Sequence, residues 1–113
     1  MNLSITKPWN GGVIIHRPVN ISLDWKSGDD FLTVGYSSPF YGDPPAPTGA
    51  KGQPFPKLWD YEVVGIFLLG LDNKYVEVEV CPHGQHLVRL LDAPGRAIKV
   101  VIFNFDLCTI LIL

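Results

Sequence analysis

The sequence predicts an all-β fold, an antiparallel β-sandwich, and three observations carry that prediction. Glycine and proline, 11 and 10 of the 113 residues, punctuate the chain at short intervals, which suits short strands better than helices. Residues 20–26 and 75–81 alternate apolar and polar side chains, the period of a strand with one covered face. No stretch longer than a turn repeats apolar residues at three and four, so little helix is expected.

A chain of this length accommodates one domain and buries roughly two-thirds of the surface that its unfolded form exposes. It is 47% hydrophobic and 18% charged, against about a quarter charged in ordinary globular chains, which excludes disorder for its bulk. A net charge of -2 without a basic run excludes an electrostatic binder of nucleic acid, which needs clustered Lys and Arg. The N-terminus shows no charged segment leading into an apolar one, so no secretory leader is expected and a cytoplasmic location follows. Cys81 and Cys108 are the only cysteines, and in that compartment they read as free thiols.

Taken in order, residues 1–7 form a short edge strand with Leu3 and Ile5 on one side, ended by Pro8. Val13, Ile14 and Ile15 predict a short strand or a buried turn. Residues 20–26 give the clearest half-buried strand, with Ile21, Leu23 and Trp25 toward the core. The turn 27–30 and a strand over 31–37 complete a hairpin. Residues 38–56 hold too much Pro and Gly for a regular element and predict a long loop, pinned to the body by Phe40, Tyr41 and Phe55. Residues 61–69 read as a strand buried on both faces. After a turn at 71–74, residues 75–81 place Val76, Val78 and Val80 on one face and Tyr75, Glu77, Glu79 and Cys81 on the other. A turn at 82–84 and a strand over 85–91 continue the meander. The apolar tail falls short of the roughly 18 consecutive apolar residues that a membrane span needs.

The motifs DPPAP (43–47), LWDYEVV (58–64) and VEVCPHGQHLV (78–88) resemble an uncharacterised animal protein family, that of the human chromosome-four open-reading-frame thirty-three protein. The resemblance runs from about Lys7 to Leu91. More distantly, the paired strand pattern is similar to carbohydrate-binding module family 9 and its DOMON-like relatives. That likeness implies a carbohydrate-binding-module-like sandwich that binds sugars or, in some members, haem, with no enzymatic activity. Where the wider pattern has a Glu in the first core strand, this chain has Gly65. From about Ala97 the tail departs from the family, whose members look longer. Residues 1–96 are therefore expected to be the N-terminal part of one sandwich, incomplete at its C-terminus, with 97–113 a divergent apolar tail and the chain a truncated isoform.

Glu77 and Glu79 lie roughly 7 Å apart on one strand face, a spacing that suits a cation, sugar hydroxyls or an acid/base pair. A plain solvated polar face fits the alternation too. Cys81, His83 and His86 are metal-competent types without the second cluster that a zinc site requires, and no third group completes a Cys-His dyad. Trp59, beside Asp60 and Glu62 at a loop-to-strand junction, offers an aromatic platform for a sugar ring or a cap on the sandwich edge. No glycine-rich phosphate loop is present and no cofactor is expected. The reading is a non-enzymatic domain binding a glycan or other small polar ligand through Trp59, Asp60, Glu62, Glu77 and Glu79. The alternative is a structural or protein-interaction domain that meets its partner through exposed strand edges.

Overall fold

The computed structural model describes residues 1–101, which are almost entirely β. Seven strands, β1 (Asn2–Ile5), β2 (Val19–Asp24), β3 (Thr33–Ser37), β4 (Val64–Leu69), β5 (Tyr75–Val80), β6 (His86–Ala93) and β7 (Arg96–Val101), build two antiparallel sheets, ordered β1-β2-β3 and β4-β5-β6-β7. The helical element among the described residues is the 3-10 turn Leu58–Asp60. Two antiparallel sheets with almost no helix are consistent with the predicted all-β sandwich class. The described residues fall into two compact units, 1–40 and 41–101, each carrying one sheet.

In the first unit, Leu3 pairs with Ile21 and Ile21 with Tyr36, while Leu23 faces Val34. Strand alternation then gathers these apolar side chains on one face and Asn2, Ser4, Asn20 and Ser22 on the other. The predicted hairpin is present, but its strands are shorter than the sequence pattern. The last ladder pair is Asp24 with Thr33, because beyond it the chain closes a turn, with the Lys26 amide donating to Asp29 Oδ2 at 2.9 Å and the Asp29 amide to the Lys26 carbonyl. Trp25, expected in the core, is therefore 60% exposed. Phe31 is also exposed. Val13 and Ile15 form neither a strand nor a buried turn and stand in solvent. An apolar run of three residues between turns has no neighbouring strand to complete its ladder.

In the second unit, the long loop is irregular as predicted, but its anchoring is different. Phe40 and Tyr41 are exposed, whereas Phe55 packs with Tyr61 and Val63 on the buried cluster of Leu58, Cys81 and Leu87. The rings of Phe55 and Tyr61 meet edge to face at 5.5 Å. Backbone bonds complete the attachment: the Phe55 amide donates to the His86 carbonyl and the Gly52 amide to the Gly84 carbonyl, both at 2.9 Å. The β5–β6 turn requires glycine at position 84, where φ is +100° and a Cβ would approach Lys51 Cγ to 2.3 Å.

The strand expected over 61–69 begins only at Val64, and it is not buried on both faces. Val64 and Ile66 are buried, but Phe67 is 61% and Leu69 74% exposed. Composition alone cannot report this, since β4 is the outermost strand of its sheet. At the other edge, β7 pairs with β6 through Val88–Val101 and Arg89–Val100, so the first residues of the apolar tail join the sheet. Residues 102–113, the rest of that tail including Cys108, lie outside the described residues.

Candidate functional site

Strand alternation places Glu77 and Glu79 on the same face of β5. The ladder sets Glu77 between Phe67 of β4 and Arg89 of β6, and Glu79 between Gly65 and Leu87. This face is not solvated: Glu77 and Glu79 are each 5% exposed, which corrects the expectation of an outward polar face. The covering material comes from the same unit, where Leu58, Tyr61 and Val63 pack around Cys81 and Leu87, the residues flanking the carboxyls on that face.

Burying a carboxylate requires a partner. For Glu77 it is Arg89, whose Nε and Nη2 both reach Oε2, at 2.6 and 2.5 Å. The guanidinium carbon also lies 4.5 Å from the centre of the Trp59 ring, within the range of a cation–π contact. Trp59 is 46% exposed. The 3-10 turn thus presents an indole with one face on a partly buried cation and much of its remaining surface open.

Glu79 has no such partner. Burial, the neighbouring charge of Glu77 and a hydrogen bond to Glu77 together push its carboxyl up to about 7, with Arg89 pulling weakly the other way. Its Oε2 has no hydrogen-bond partner among the described residues. Near neutrality Glu79 is therefore about half protonated, and in its protonated form it donates to Glu77 and shares the field of the Arg89 guanidinium. The next residue on this face, Cys81, is fully buried, and burial pushes its thiol up. A buried neutral thiol lacks the thiolate character of a nucleophile.

Glu62 is directed elsewhere. Its two carboxylate oxygens accept the Tyr41 and Gly42 amides at 2.8 and 3.0 Å, tying the long loop to the segment before β4. Asp60 is exposed in the 3-10 turn beside Trp59. Of the five residues expected at the site, the structure therefore joins Trp59 to Glu77 through Arg89, places Glu79 beside Glu77 and engages Glu62 with the loop backbone. Arg89 was missing from that set. The signal was available in the predicted turn at 82–84, which sets Arg89 across from Glu77 once the register is counted. A Cβ at Gly65 would meet only Phe67, at 3.9 Å, so space does not demand glycine opposite Glu79. Among the described residues, no group of three or more His, Cys, Asp or Glu side chains is placed to hold one metal ion.

Comparison with known proteins gives close relatives. The chain is 46% identical over 98 residues to the UPF0462 protein C4orf33 homolog of Danio rerio, a match covering 86% of this chain and 49% of that protein. It is 50% identical over 92 residues to the UPF0462 protein C4orf33 of Homo sapiens, covering 80% of this chain and 45% of the relative. The Rattus norvegicus homolog is 48% identical over the same length. The chain spans about half the length of the curated relatives it matches. No family model matches the chain, and no solved structure matches it.

Proposed function

We propose that this homologue of the UPF0462 proteins binds, rather than transforms, a small polar ligand, and that a carbohydrate is the class it takes. One observation carries the reading: Trp59 is 46% exposed while its ring rests on the Arg89 guanidinium. An indole held in this way is a flat apolar platform that matches the CH face of a pyranose. Asp60, exposed beside it, accepts hydrogen bonds from sugar hydroxyls. Glu77 orients the platform through Arg89, with Glu79 beside Glu77 on the same strand face, and Glu62 fixes the adjoining loop. A cytoplasmic location and the absence of catalysis are parts of the same proposal. No helix among the described residues is long and apolar enough to cross a membrane.

The test is a thermal-shift screen of the full chain against glucose, galactose, mannose, N-acetylglucosamine and their short oligomers. A ligand at a hundred times its Kd stabilises the folded state by about 2.7 kcal/mol. A response lost in Trp59→Ala and kept in Trp25→Ala supports the site. A response that survives Trp59→Ala overturns it.

A second reading has its own observation. The outermost strand β4 is uncharged and leaves Phe67 and Leu69 largely exposed, and such an edge is a template for pairing with a protein partner. If that is its use, Leu69→Lys abolishes association measured by sedimentation and leaves any sugar response intact.

A further inference from the structure

The Glu77–Glu79 face holds two carboxyls in the interior and one cation among them. Arg89 directs Nε and Nη2 to a single oxygen of Glu77, and Oε2 of Glu79 meets no donor among the described residues. Two negative charges at 5% exposure with one engaged guanidinium cannot both be satisfied, so the pair retains a proton. Among the described residues, the groups facing the pair do not relieve this. On β5 the neighbours on this face are Tyr75, beside Glu77, and Cys81, whose thiol is held neutral by burial. Opposite Glu79, β4 offers Gly65 and no titratable side chain. On β6 the facing residues are Leu87 and Arg89. The segment after the 3-10 turn brings Glu62, a further anion already bound to the Tyr41 and Gly42 amides, and Asp60 is exposed.

We propose that the Glu77–Glu79 pair is a proton-operated latch on the Trp59 face. While the pair keeps its proton, Arg89 is divided between Glu77 and the indole. When the proton leaves to solvent, a second full carboxylate competes for the same guanidinium, which is drawn into the pair and away from the ring. The platform then loses the cation that holds it, so ligand affinity falls as pH rises through neutrality. This regulation rests on the ligand reading above for its consequence, but the latch itself is observable without ligand.

The measurement is the fluorescence of Trp59 against pH, from about pH 5 to 9, in the full chain carrying Trp9→Phe and Trp25→Phe. The expected result is one sigmoidal change in emission with a midpoint near 7, the value to which Glu79 is pushed, abolished by Glu79→Gln. A transition that persists unchanged in Glu79→Gln overturns the latch. A flat profile in the parent overturns it as well. Should the double Phe variant not fold, the Trp59 indole N–H resonance of the otherwise unaltered chain, with and without Glu79→Gln, distinguishes the same outcomes. A transition present with no sugar bound at either end of the range keeps the latch and removes the ligand reading.

Discussion

Replacing Glu79 with Gln removes the ionisable group and leaves its shape and its hydrogen bond to Glu77 in place. The Glu79 carboxyl is raised from its ordinary 4.5 to about 7, first by burial and then by Glu77. The folded chain therefore holds a proton that the unfolded chain has already released, and the sign follows. The contribution to stability is fully present below about pH 4.5, is lost as pH rises through about 7 and changes no further above that. At about 1.4 kcal/mol for each pH unit between those values, the loss is on the order of 3 kcal/mol. Glu79→Gln escapes it, so the two proteins have similar stability in acid, and by about pH 8 the variant is the more stable by that amount. Asp72 and Asp92, held low by Lys74 and Arg96 respectively, act in the opposite direction but are common to both proteins and cancel in the difference. Urea unfolding at a series of pH values measures it. Parallel stability curves for the two proteins would refute a buried, proton-holding Glu79.

Two further substitutions probe the scaffold around the site. Glu62→Ala removes both acceptors of the Tyr41 and Gly42 amides; hydrogen bonds to a charged group contribute about 1.5–3 kcal/mol each, and for this half-buried carboxylate a combined loss of about 2 kcal/mol is expected, read by urea unfolding together with faster proteolysis within residues 38–56. Unchanged proteolysis would show that the loop is held by Phe55 and its backbone bonds alone. Gly65→Ala fills open space at a strand position and should stabilise the domain by about 0.5–1 kcal/mol, visible as a higher urea midpoint; destabilisation would mean that the opening beside Glu79 is required.

Much of the architecture was legible because side-chain alternation has period two and survives in the sequence. Strands β2 and β5 follow from it, while the turns and the irregular 38–56 loop follow from the placing of Gly and Pro. Alternation assigns a residue to a face, however, and does not say whether that face is covered. Glu77 and Glu79 read as a polar face and are interior, where Phe55, Tyr61 and Val63 pack on the neighbouring cluster of Leu58, Cys81 and Leu87 and Arg89 balances one charge. Phe67 and Leu69 read as core and are exposed, because among the described strands β4 has a neighbour on one side only. Trp25 continued an apolar register past the last ladder pair, where the Lys26–Asp29 turn had already redirected the chain. The motifs that carry the family resemblance were readable and agree with the relatives found. Glu62, by contrast, looked like a ligand group, and only the fold shows it bound to loop amides twenty residues away.

The most direct test of the account is the indole N–H spectrum of the 15N-labelled chain during titration with the oligosaccharide that gives the largest thermal shift. Its three tryptophans are environmentally distinct, Trp9 and Trp25 lying out in solvent and Trp59 on the Arg89 guanidinium. The expected result is a saturable displacement of the Trp59 resonance with those of Trp9 and Trp25 stationary. A titration that moves Trp9 or Trp25 and leaves Trp59 in place would contradict it.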